Sequence, residues 1–189
     1  MIMITIGLLI WVCAHLFPSL FPAVRERWIA RIGSNAYQGL FALCILAGLL
    51  LIIFGWRGTL PTQVYLPPAG LRQPGMLLVI IGFILMVAAN FPATRFKRVI
   101  RHPQLTGVAI WAFAHLLMNG DSRSLLVFAT LGAWSLVSMV TINRRDGIWI
   151  KPGKPDGWGQ DVMVLAGGLI LSALAFYFHE YLAGVALII

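Results

Sequence analysis

Gly7-Leu8-Leu9-Ile10-Trp11-Val12-Cys13-Ala14-His15 lies within the first 17 residues of the chain, which hold no Asp, Glu, Lys or Arg; the pattern returns as Gly107-Val108-Ala109-Ile110-Trp111-Ala112-Phe113-Ala114-His115. An uncharged apolar run of that length reads as a membrane-crossing helix. Spanning a hydrocarbon core of about 30 Å takes about 17 to 25 apolar residues, and lipid leaves every backbone polar group to be satisfied inside the segment. In both copies Gly, Trp and His stand four residues apart, so they form one stripe on a helix face, with space at Gly and a nitrogen ligand at His. Ionisable groups in a bilayer are costly, and a matched pair of imidazoles points to a function. The plainer reading is that Gly, Ile and Ala are common in such helices and only the Trp and His coincidences inform.

The rest of the 189-residue chain reads the same way: 60% of it is hydrophobic, 11% is charged, and mean hydropathy is +0.89. We expect an all-α polytopic bundle of about six transmembrane helices, near 1–17, 36–55, 75–91, 104–119, 124–142 and 162–179, in one integral-membrane domain over 1–189. The first segment has no basic start and no small-residue cleavage site, so a retained helix is expected in place of a removed signal. Cys13 and Cys44 fall within apolar segments without a CxxC spacing and read as small buried hydrophobes.

Net charge is +8, but its distribution speaks for topology and against nucleic acid as a partner. The first, third and fifth loops carry eleven basic residues (Arg25, Arg27, Arg31; Arg95, Lys97, Arg98, Arg101; Arg144, Arg145, Lys151, Lys154), and the second and fourth carry three (Arg57, Arg72, Arg123). The positive-inside rule then places the odd loops in the cytoplasm and both termini in the periplasm of a bacterial inner membrane. Trp28, Trp56, Trp149, Trp158 and Tyr181 flank the span ends as interfacial belts do. Lipid is the expected partner.

Pro18 and Pro22 are expected to close the first helix. Val24, Trp28 and Ile32, spaced i, i+4, i+8 among arginines, suggest a short interfacial helix. The outer loop from Arg57 to Pro74 holds Pro61, Pro67, Pro68, Gly70 and Pro74; it reads either as a semi-rigid lid over a site between helices or as a plain connector. Three spans per half also suggest an inverted repeat.

Of the four histidines, His15, His102, His115 and His179, none belongs to an HExxH, and no carboxylate cluster lies in the spans. A zinc site would need three or four close ligands. Haem, which supplies four nitrogens and asks for one or two axial ligands, suits two histidines on separate helices, with Trp11, Trp111 and Gly107 on the same stripes. The two imidazoles would differ in depth by about 10 Å on this topology, which leaves His102 as a depth-matched alternative to His115. Arg101-His102-Pro103 opens the fourth span with Pro at the first helical position. With Arg95, Lys97 and Arg98 it makes a cationic patch suited to haem propionates, a lipid headgroup or an anionic substrate. His179 reads as interfacial.

The string Arg101-His102-Pro103-Gln104-Leu105-Thr106-Gly107, continuing through Trp111 and His115 to Asn119-Gly120-Asp121, resembles the NnrU family, which also contains 15-cis-zeta-carotene isomerases. Ala14-His15, the segment Arg27 to Gly33, Tyr37-Gln38-Gly39-Leu40-Phe41 and Asn143-Arg144-Arg145 fit as well. The resemblance implies a multi-pass haem b protein with His15 and His115 as axial ligands and His102 matching the Arg-His-Pro histidine. It also implies an association with denitrification, specifically nitrite and nitric oxide reduction, or haem-assisted isomerisation of a lipophilic polyene. Ala112 stands where the isomerases have a cysteine, which weakens the isomerase reading. The chain also resembles isoprenylcysteine carboxyl methyltransferases, which bind S-adenosylmethionine, but it has Leu105 at their Tyr and Arg144-Arg145-Asp146 where they carry an acidic pair. A third reading is an assembly factor for nitrogen-oxide reductase machinery.

Overall fold

A computed structural model describes residues 1–184, so the last five residues of the expected domain lie outside it. The chain is a bundle of helices: α1 (Ile2–Leu20), α2 (Pro22–Ile32), α3 (Ser34–Arg57), α4 (Arg72–Ala88), α5 (Arg95–Val99), α6 (Pro103–Met118), α7 (Ser122–Asp146), α8 (Gly159–Tyr177) and α9 (His179–Ala183). Five segments are long and apolar enough to cross a membrane: α1, α3, α4 together with the 3-10 turn Ala69–Leu71 that leads into it, α7 and α8. The sixth expected span, α6, has 16 residues and reaches about 24 Å. Pro103 fixes its start at N1, and Asn119 leaves helical geometry at its end. The short interfacial helix expected around Trp28 is α2.

The expectation that Pro18 ends the first helix is not met. Pro18 lies inside α1, which runs on to Leu20. Proline removes a single bond, the one to the carbonyl four residues back, and the helix resumes through Phe21 N–H to Phe17 O at 2.9 Å.

Packing gives the lateral order α3, α1, α7, α6, α4, α8, in which each helix touches the next. Only α1 and α7 run parallel. Glycines set the closest crossings, as expected where lipid supplies no hydrophobic force between helices and van der Waals approach must do the work. A Cβ on Gly7 would stand 2.6 Å from the Gly48 carbonyl oxygen, and one on Gly107 would stand 2.5 Å from that of Gly82. The α1–α3 and α4–α6 pairs are therefore built alike, on either side of α7. The expected repeat of three sequential spans is not the symmetry seen, because α3 follows α1 in the chain whereas α4 precedes α6.

Ile4, Leu8, Ala112, Val127 and Phe128 form a buried cluster where α1, α6 and α7 meet, while Leu43, Leu46, Phe54, Met163, Leu169 and Ile170 point outward, as lipid-facing side chains do. At the arginine-rich end, the Arg95 guanidinium pairs with Asp161 of α8 at 2.6 Å and lies 3.5 Å over the Trp158 ring. At the opposite end, Arg123 donates to the carbonyls of Trp56 and Thr59 at 2.9 and 3.0 Å. Trp56 Nε1–H and Arg57 hold α9 through the Ala183 and Tyr181 carbonyls at 3.0 and 2.8 Å.

A paired histidine site on either side of α7

The two copies of the repeated motif adopt the same local geometry. His15 Nδ1 lies 2.8 Å from the Trp11 carbonyl, and His115 Nδ1 lies 2.8 Å from the Trp111 carbonyl. A carbonyl only accepts, so each ring donates from Nδ1 and presents its Nε2 lone pair. The stripe of Trp and His one turn apart holds both rings in contact, at 4.4 Å in α1 and 4.7 Å in α6. Each motif thus holds an imidazole whose tautomer is set by its own helix, as a second hydrogen bond does for metal-binding histidines.

Helix α7 supplies the remaining walls with residues the sequence reading did not single out. Trp134 meets His15 edge-on at 4.9 Å, and Phe128 stacks on His115 at 4.2 Å. Phe41 of α3 closes the other side of His15 at 5.5 Å. Trp134 carried a usable signal: like Trp11 and Trp111 it sits mid-span, whereas the other four of the seven tryptophans lie at span ends. The six-residue step from Phe128 to Trp134 corresponds to about 9 Å along α7. Among the described residues no cluster of three His, Cys, Asp or Glu side chains is placed to hold a metal ion. An imidazole with Nε2 turned from its own helix, one on each of two apolar helices, is the type of donor that a haem iron takes from a protein.

The other candidate residues lie elsewhere. His102 Nε2 stands 2.8 Å from Asn143 Oδ1, and Arg101 donates to the Gly147 carbonyl at 2.8 Å. Together they fasten the start of α6 to the end of α7. Gly107 faces α4, where it admits the Gly82 backbone. His179 begins α9.

The proline-rich outer segment, read as lid or connector, is bonded to the α6–α7 turn. Val64 and Tyr65 N–H donate to the Gly120 carbonyl at 2.8 and 3.0 Å, and Ser122 N–H donates to Thr62 O at 2.8 Å. The Tyr65 hydroxyl donates to the Leu116 and Asn119 carbonyls, which α6 leaves without helical partners. This strap closes the end of α6 one turn beyond His115. Burial first, and the Asp121 charge second, hold the Tyr65 hydroxyl pKa above its usual value.

A family model described as NnrU protein matches residues 3–187. No curated protein and no solved structure matches the chain.

Proposed function

The chain belongs to the NnrU family, and we propose from that membership and the two preset imidazoles that it binds haem b through His15 and His115. The observation that carries this reading is the repeated Nδ1 to carbonyl bond at 2.8 Å, which leaves Nε2 of both rings available. Trp11 and Trp111 orient those rings, and Phe128 and Trp134 exclude water from them. Bound there, haem would supply a redox-active iron.

The arginine-rich loops support an inner-membrane setting with that end in the cytoplasm and both ends of the chain in the periplasm. The family's association with nitrite and nitric oxide reduction supports a role in nitrogen-oxide respiration, either redox or in support of the reductase machinery. Ala112, buried in the core cluster, offers no thiolate ligand, so polyene isomerisation has the weaker support. The methyltransferase reading is weaker still, because Arg101 and His102 are already engaged by Gly147 and Asn143.

An oxidised and dithionite-reduced absorption spectrum of the detergent-purified protein, with a pyridine haemochrome assay, tests the proposal. The expected result is a b-type signal near one haem per chain that falls at least about tenfold in His15→Ala and in His115→Ala and persists in His179→Ala. Full haem retention in both of the first two variants, or a wild-type protein that takes up no haem, would sink it.

A further inference from the structure

Three polar atoms on the seam between α1 and α7 are buried and have no hydrogen-bond partner among the described residues: Trp11 Nε1, Trp134 Nε1 and Ser138 Oγ. Two of the three belong to indoles that flank one imidazole. The two indoles lie 4.4 and 4.9 Å from the His15 ring and 5.8 Å from each other. Ser138 follows Trp134 by one turn on the same face of α7, and these two residues are only 4% and 8% exposed respectively. Two turns further along that face, Arg145 reaches Ser19 Oγ of α1 at 3.3 Å. Arg145 also lines an open cleft of about 700 Å³ together with Arg25, Tyr37 and Phe41. Phe41 connects the two places, since its ring lies against His15.

Donors dominate this set. An indole N–H donates and never accepts, and the same holds for guanidinium, while the Ser138 hydroxyl can do either. Buried donors left without partners are costly, and an accepting group on this seam would satisfy them. Carboxylates occur at the mouth, where Asp146 is held by Arg145 at 2.7 Å and Glu26 lines the cleft; α1 has none, and α7 has none before Asp146. We propose that the seam beside His15 binds a carboxylate-like oxyanion, held by the Trp11 and Trp134 N–H groups and the Ser138 hydroxyl and admitted past Arg25 and Arg145. The oxyanion belongs either to the carboxylate arm of an amphiphilic cofactor or to a small free anion. The site stands on the unpartnered donors and does not require haem.

Protein labelled with ¹⁵N at the indoles, in lipid nanodiscs, reports directly on these groups, with the two signals assigned through Trp11→Phe and Trp134→Phe. Of the seven indole N–H signals, those of Trp11 and Trp134 should move downfield and saturate as acetate, nitrite or haem is added. Ser138→Ala should weaken the response about tenfold, the loss expected for one hydrogen bond to a charged group. A response to acetate or nitrite identifies a free anion as the ligand, and a response to haem alone identifies the cofactor's carboxylate. Signals that stay fixed through all three titrations, or that exchange with bulk water in the unliganded protein, would overturn the site. A protein that rejects haem still answers the acetate and nitrite titrations, so this proposal and the haem reading fail separately.

Discussion

The α1 and α6 copies of the Gly-Trp-His stripe share what one helix can dictate and a glycine crossing, and differ in what α7 and the outer segment supply. Both fix Nδ1 at 2.8 Å from the carbonyl four residues back, and both cross a partner helix glycine to glycine. Yet His15 meets a tryptophan edge amid unpartnered donors and lies against Phe41, which lines an open cleft. His115 stacks on a phenylalanine and sits beneath an outer segment bonded across the α6–α7 turn. A duplicated motif therefore presents two imidazoles alike, and the unduplicated α7 sets their surroundings apart: the His15 side is polar and approachable, the His115 side apolar and strapped.

The strongest test of the likeness is to fill the crossings. Gly7→Leu and Gly107→Leu would each push a side chain into a backbone oxygen at about the same distance, so neither can be relieved by a rotamer change. Each should cost about 3 kcal/mol, at the upper end for overpacking, measured by denaturant unfolding in detergent. Tolerance of one and not the other would show that the two helix pairs are not equivalent.

Substitutions on α7 should divide the copies instead. Phe128→Ala removes a ring that is 7% exposed and stacked on His115, and should destabilise by about 3 kcal/mol. Trp134→Phe keeps most of the packing but removes an unpartnered buried N–H. In the ligand-free protein that change should raise stability by about 1 kcal/mol, the order of the cost of a buried unmade bond. A loss of equal size at both positions would mean that α7 treats the two histidines alike.

Tyr65→Phe takes two carbonyl contacts from the end of α6 and should cost about 1 kcal/mol. Hydrogen exchange should rise in the 62–65 strap and the 119–122 turn, with the His15 end unchanged. Faster exchange at both ends would place the strap's influence on the whole bundle and erase the distinction.

How much of this the sequence carried follows from the range of each interaction. Span positions were legible because lipid imposes length and composition segment by segment, and the Pro103 start of α6 came through intact. The ligand stripe was legible because it is local to one helix. Three features depended on contacts between distant residues and did not show. Pro18 stays helical inside α1, α4 takes the place beside α6 that α3 takes beside α1, and α7 brings Trp134 to His15 from more than 100 residues away. Arg101 and His102 mislead in the same way: as a motif they suggest a site, but the structure engages them at Gly147 and Asn143.

The smallest expected difference between the ends is one of pH. Asp121 caps α7 by accepting from the Arg123 and Ser124 N–H groups at 3.0 and 3.1 Å. Burial works to raise its carboxyl pKa, but the Ser124 hydroxyl, those two backbone donors and the Arg123 charge outweigh it and hold the value below the usual 3.8. A depressed folded value means the carboxylate's contribution is complete above about pH 3.8 and fades as pH falls through the lower folded value. Wild-type protein should therefore loosen at the strapped end only in strongly acidic solution. Asp121→Asn should be weaker at neutral pH by about 0.5 kcal/mol, the scale of a negative charge lost at a helix N-terminus, and should lack that acid step. Exchange rates of the 119–122 amides between pH 7 and pH 3 separate the outcomes: an acid step that survives in Asp121→Asn would assign it to another group and remove the cap from the account of why the His115 end is the closed one.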